Sequence, residues 1–68
     1  MKEIKIDTEF IKLDQLLKYS GFAQTGGQSK IIIKEGLISV NDEIVTERGK
    51  KIRKGDIVKI KDVGECVV

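Results

Sequence analysis

The 68-residue chain has no histidine, no proline and no tryptophan, a single cysteine, and only three aromatic residues, Phe10, Tyr19 and Phe22. Each shortage excludes something. With no His and with Cys66 alone, the chain cannot assemble the Cys/His ligand sets of the usual zinc sites. It also lacks the commonest general acid–base residue. One cysteine allows no internal disulfide, which fits a reducing compartment. No apolar run approaches the roughly 18 residues that read as a membrane span. Met1-Lys2-Glu3-Ile4-Lys5 alternates charge with isoleucine, unlike the basic and apolar regions of a signal peptide. The expectation is a cytoplasmic, non-enzymatic protein with no cofactor, no metal and no membrane partner.

What is present is enough for one small domain over residues 1–68. Hydrophobic residues make up 40% of the chain, with Ile and Val prominent, so a core can form and disorder is not expected. The formal net charge is only +2, and the distribution says more than the total. Arg48, Lys50, Lys51, Arg53 and Lys54 fall within seven residues that contain no acid. Such a run is either a solvated connection between strands or a surface for a polyanion.

Hydrophobic spacing places the elements. Glu3-Ile4-Lys5-Ile6 alternates as a short half-buried strand. Leu13, Leu16, Leu17 and Ser20 recur at helical spacing, predicting a helix over 13–20 with Thr8 or Asp14 as its cap and Gly21 as its stop. A second helix starts at Thr25. Thr25 and Gln28 have capping-box spacing, in which the hydroxyl accepts from the Gln28 amide and the Gln28 side chain reaches back to the Thr25 amide. That helix runs to about Glu35 and stops at Gly36, with Ser29, Ile32, Ile33 and Gly36 on its buried stripe. Strands follow at 37–40, 43–46 and 57–61, with a last one over 65–68. Asn41-Asp42 and Lys54-Gly55-Asp56 are the turns. The fold class is therefore α+β: two short helices packed on a small, mainly antiparallel sheet.

The order of these signals resembles the S-four (alpha-L) RNA-binding domain family. The residues that carry the resemblance are Lys12-Leu13-Asp14, Leu17, Gly21-Phe22-Ala23, Thr25-Gly26, Lys30, Ile33, Gly36, Ile38-Ser39-Val40-Asn41-Asp42 and Gly55-Asp56-Ile57-Val58-Lys59-Ile60. Gly26-Gly27-Gln28-Ser29-Lys30 and Thr46-Glu47-Arg48-Gly49-Lys50-Lys51-Ile52 resemble the small stand-alone bacterial branch. Three positions depart from the family pattern. Gly26 and Ile31 stand where it has arginines, and Lys12 stands for another. Lysine and glycine do not supply the bidentate phosphate fork of a guanidinium.

The resemblance implies binding to structured RNA, with ribosomal RNA or a ribosome-assembly particle as the expected partner and tRNA as an alternative. The expected RNA-binding residues are Lys12, Thr25, Gly26, Gly27, Lys30, Lys34, Arg48, Lys50, Lys51 and Arg53. Gly26 and Gly27 open a helix, where amides lack partners and the dipole is positive, so a phosphate can approach closely. The plainer explanation is a tight turn that happens to begin a helix. Lys30 and Lys34 continue along one helical edge, and Arg48 to Arg53 form a second basic element. With few aromatic rings, recognition should rest on shape and backbone more than on base identity. Two other readings compete. Val40-Asn41-Asp42-Glu43-Ile44-Val45 echoes ubiquitin-like sulfur carriers, but the chain ends Cys66-Val67-Val68 where a carrier needs Gly-Gly. A protein-binding adaptor is the second.

Overall fold

In the computed structural model, which describes residues 1–68, backbone pairing divides the strands between two sheets. Strands β1 (Lys2–Glu3), β3 (Ile38–Val40), β4 (Glu43–Ile44), β6 (Ile57–Ile60) and β7 (Gly64–Val67) form a five-stranded sheet in the order β1-β7-β6-β3-β4. Only the β1–β7 pair is parallel. Strands β2 (Ile11–Lys12) and β5 (Lys51–Ile52) form a separate antiparallel ladder. Helices α1 (Leu13–Tyr19) and α2 (Gly26–Lys34) lie consecutively between β2 and β3.

Alternation buries one sheet face. Ile38, Val40, Val58, Ile60 and Cys66 join Leu13, Leu16, Leu17 and Ile33 of the helices in a single core cluster. Ile52 of β5 and Ala23 of the inter-helix turn complete its centre, which fixes the small ladder to the same core. Cys66 is fully buried, and burial pushes its thiol pKa above the usual value. It is a packing residue.

The helix ends follow local chemistry, with two corrections. The capping of α2 is as expected at Thr25, whose Oγ1 accepts from the Gln28 amide at 3.1 Å. The Gln28 side chain, however, accepts from the Gln24 amide at 2.8 Å rather than returning to Thr25. At its other end, Gly36 takes φ +76°, and the amides of Gly36 and Leu37 donate back to Ile33 and Ile32. These are the two bonds of a Schellman stop.

Helix α1 has no side-chain cap, contrary to the expectation for Thr8 or Asp14. The Thr8 hydroxyl donates to the Phe10 carbonyl, and the Asp14 carboxylate accepts only from the Gln15 amide. The amides of Leu13 and Asp14 donate instead to the carbonyls of Lys50 and Arg48, at 2.9 and 3.1 Å. A long-range backbone contact has taken the place of a cap.

Most strands are shorter than the hydrophobic pattern predicted, the last is displaced by one residue to Gly64–Val67, and the β2–β5 ladder was not among the predicted strands. The first covers Lys2–Glu3, not 3–6: the Ile4 amide still reaches the Val67 carbonyl, but the next amide along β7, that of Val68, donates to Asp56. Alternation survives the loss of pairing, for Ile4 is buried and Ile6 half-buried. The β3–β4 hairpin closes through Asn41 and Asp42 at φ 51° and 70°. Both central residues are left-handed, as a two-residue type I′ turn requires.

Candidate nucleic-acid interface

The basic segment is held by its backbone, which leaves its side chains free. Its carbonyls at Arg48 and Lys50 satisfy the first amides of α1. Next door, the Ser29 hydroxyl, buried in the first turn of α2, donates to the Asp14 carbonyl in the first turn of α1 at 3.3 Å. The bonds therefore run from Ser29 to Asp14 to Arg48, and they bring the start of α2, the start of α1 and the basic segment together.

The β2–β5 register sorts the side chains. Ile11 is paired with Ile52 and Lys12 with Lys51. Residues directly opposite share a face, and alternate residues return to it. Ile52 is fully buried, so that face points to the core. The outer face carries Lys12 and Lys51 and, one step beyond the pairing on each strand, Phe10 and Arg53. Lys51 Nζ lies 4.9 Å from the Phe10 ring centre and the Arg53 guanidinium 6.0 Å.

Lys12 is disfavoured here on two counts. It stands directly opposite a like charge, which destabilises a ladder, and it occupies the N-cap of α1, at the positive end of the helix dipole. Folding alone gives no reason for a lysine there, whereas a polyanion would relieve both repulsions.

The start of α2 is the second element. The Gln28 and Ser29 amides are taken by Thr25 Oγ1 and the Thr25 carbonyl, and those of Gly26 and Gly27 have no partner within the chain. A β-carbon on Gly26 would meet nothing, and one on Gly27 only Thr25 Oγ1 at 3.9 Å. Neither glycine is needed for the fold, although each costs a helix about 1 kcal/mol relative to alanine. The two open amides and the bare backbone suit a tetrahedral anion. By contrast, the equivalent amides of α1 are already occupied by the basic segment.

Lys30 is exposed one turn further along α2, and Lys34 a turn beyond it, with exposed Ile31 beside Lys30. The one ion pair in the molecule joins Lys59 to Asp42 at 3.0 Å, and that carboxylate raises the Lys59 pKa by its hydrogen bond and its charge. Lys12, Lys30, Lys34, Arg48, Lys50, Lys51 and Arg53 are all exposed and without an ion-pair partner. Of the ten residues singled out in the sequence, Lys12, Lys51 and Arg53 share the ladder face. Thr25, Gly26 and Gly27 form the start of α2, and Arg48 and Lys50 link the two. Lys30 and Lys34 extend along the helix. Nothing in the sequence set Phe10 beside Lys51 and Arg53: Phe10 and Ile11 are adjacent apolar residues with no alternation, and their strand is only two residues long.

Acids border this surface. A groove of about 480 Å³ between the β4 hairpin and the basic segment is lined by Lys50, Lys51 and Arg53, but also by Glu43 and Glu47. Asp56, at its edge, is occupied elsewhere. Its carboxylate accepts from the Arg53 amide at 2.9 Å and from the Asn41 side chain at 3.0 Å. Asn41 Oδ1 in turn accepts from the Ile57 amide. The Val-Asn and Gly-Asp signals of the sequence are thus two halves of one clamp that fixes the turn after Arg53.

An α+β domain that carries a helix start with two unpartnered amides and a set of exposed, unpaired cations belongs to the class of molecules equipped to bind polyanions. The chain belongs to the S4 domain family, the RNA-binding family its motif order resembles: the family model matches residues 4–68. It is 44% identical over 65 residues to the probable ribosome maturation protein RlbA of Bacillus subtilis (strain 168), covering 96% of this chain and 92% of that protein. It is also 35% identical over 51 residues to the small ribosomal subunit protein uS4 of Wolbachia pipientis subsp. Culex pipiens (strain wPip). That match covers 75% of this chain and 25% of the larger protein.

Proposed function

We propose that this protein is a cytoplasmic, non-catalytic RNA-binding protein, a single domain that grips the phosphate backbone of structured ribosomal RNA on a ribosomal or ribosome-assembly particle. The observation that carries the reading is the hydrogen-bonded junction of Ser29, Asp14 and Arg48. It sets the free amides of Gly26 and Gly27 beside the unpaired cations of the ladder and the basic segment. Lys12, Lys51 and Arg53 supply charge on the ladder face, Arg48 and Lys50 extend it, and Thr25 fixes the helix start. Lys30 and Lys34 prolong the track along α2. The choice of ribosomal RNA over tRNA leans on the relatives, one named for ribosome maturation and one for the small subunit.

Phosphate contacts position a protein and carry little sequence information. The mechanism is therefore shape matching: the start of α2 and the cations of the ladder and basic segment present donors at fixed separations, and an RNA whose phosphates fall at those separations binds. The test is a salt series with ribosomal RNA fragments, tRNA and a plain duplex of equal length. About three to five phosphate contacts give a log–log slope of roughly −2 to −4. Replacing Lys50 and Lys51 together with alanine should lower that slope by about one unit per lost contact. A salt-independent affinity, or equal affinity for the plain duplex and every folded RNA, would remove this reading.

A further inference from the structure

Phe10 is half-buried, yet it is not among the side chains packed against the core. Its place is nevertheless fixed. The Thr8 hydroxyl holds the Phe10 carbonyl at 2.9 Å, and the next residue pairs with Ile52. Extending the ladder register by one residue sets Phe10 opposite Arg53 and diagonal to Lys51, and diagonal neighbours are within reach of aromatic and long side chains. Both cations take up that geometry, at 6.0 and 4.9 Å from the ring centre.

Resting on the RNA-binding reading above, we infer that Phe10 is a positioning residue that holds Lys51 and Arg53 extended over its ring without neutralising them, so that with Lys12 they form a pre-ordered seat for RNA phosphate. A carboxylate would also hold a lysine and an arginine in place, but it would compete with phosphate for them. The ring quadrupole attracts the cation while leaving its N–H donors free. It also draws Lys51 toward Phe10, which eases its opposition to Lys12. Long cationic side chains lose much rotamer freedom on binding. Having part of that freedom removed before the RNA arrives raises affinity without adding a contact.

The test compares the parent, Phe10→Leu, Phe10→Tyr, Lys51→Ala/Arg53→Ala, and the triple variant that adds Phe10→Leu. Each is titrated with one structured ribosomal RNA fragment at several salt concentrations, and folding is followed by thermal melts. Phe10→Leu should bind about three- to fivefold more weakly, on the scale of exposed cation–π contacts. Its salt slope should stay unchanged, because no phosphate contact is lost. Phe10→Tyr should bind like the parent. In the Lys51→Ala/Arg53→Ala background, Phe10→Leu should have no further effect. In the free protein, the Lys51 methylene protons should be shifted upfield by the ring current, and Phe10→Leu should abolish that shift.

Parent-like binding by Phe10→Leu would overturn the inference, and so would full additivity in the triple variant, since Phe10 would then touch RNA itself. An unshifted Lys51 in the parent would overturn it without any RNA present. If the parent shows no salt-dependent RNA binding, the underlying functional reading fails instead, which separates the two.

Discussion

Lys12→Glu should stabilise this protein and damage its binding at once. Lys12 is the direct partner of Lys51, and β-carbons in such pairs are about 4.5–5.5 Å apart. Allowing the two ammonium groups to splay to about 7 Å, their repulsion in water is about 0.6 kcal/mol. Reversing one charge turns that into an attraction of similar size, a swing of about 1 kcal/mol at low salt. Screening at physiological ionic strength reduces it to about half. Both values lie within the roughly 0.2–1 kcal/mol measured for cross-strand pairs. The dipole of α1 acts in the same direction, since an acid is favoured where Lys12 now stands. For a domain of this size, the melting temperature should rise by about 2–4 °C at physiological salt and by more at low salt. RNA affinity should fall at least about tenfold, and the salt slope should drop by about one unit. Lys12→Gln should give about half of each effect. Melts followed by circular dichroism at two ionic strengths, with binding isotherms at the same salts, measure both. A melting point that falls or does not respond to salt would refute the electrostatic account of the ladder. A stabilised variant that binds like the parent would remove the ladder face from the interface.

Gly27→Ala should raise stability by up to about 1 kcal/mol, since its β-carbon meets only ordinary contact, while weakening RNA binding. Gly27→Glu should fold and bind more weakly still, and binding equal to the parent in both would reduce the glycine pair to a turn. Asp42→Gly should raise stability by about 1 kcal/mol in urea melts, because Asp42 is held at φ 70° and its ion pair with Lys59 is exposed; a loss of stability would show that the pair outweighs the backbone strain. Glu43→Gln with Glu47→Gln should strengthen RNA binding about threefold or more and leave the melts unchanged, as these acids line the same groove as Lys50, Lys51 and Arg53; an unchanged affinity would place the RNA away from that groove. Burial raises the Cys66 thiol above its ordinary pKa of 9.0, so the stability it contributes is full below that pH and is lost as pH rises through the higher folded value. Cys66→Val should flatten this alkaline decline, as read by melts between about pH 8 and 11, and the thiol of the parent should react with alkylating reagents only on unfolding.

Much of this molecule was determined by sequence alone. Leu13, Leu16, Leu17 and Ser20 mark one helix by their spacing, and Thr25 with Gln28 and Gly36 bracket the other, because capping and periodicity are local properties of a few adjacent residues. Asn41-Asp42 and Gly55 mark the turns for the same reason. The cations of 48–54 stand out by composition, and the family follows from the order of these signals. The relations between distant segments follow from packing instead. Two-residue strands such as Ile11–Lys12 and Lys51–Ile52 are too short to show a period. Their pairing exists because Ile52 is drawn into a core built by other elements, and it is this pairing that makes neighbours of Lys12, Lys51, Phe10 and Arg53. The cap of α1 comes from no nearby motif but from the carbonyls of Lys50 and Arg48, 37 and 34 residues along the chain from the Leu13 and Asp14 amides they accept from. Backbone carbonyls are the same in every residue, so no side-chain pattern can announce which of them will meet a helix start; only the packed core, by fixing where each segment lies, selects them.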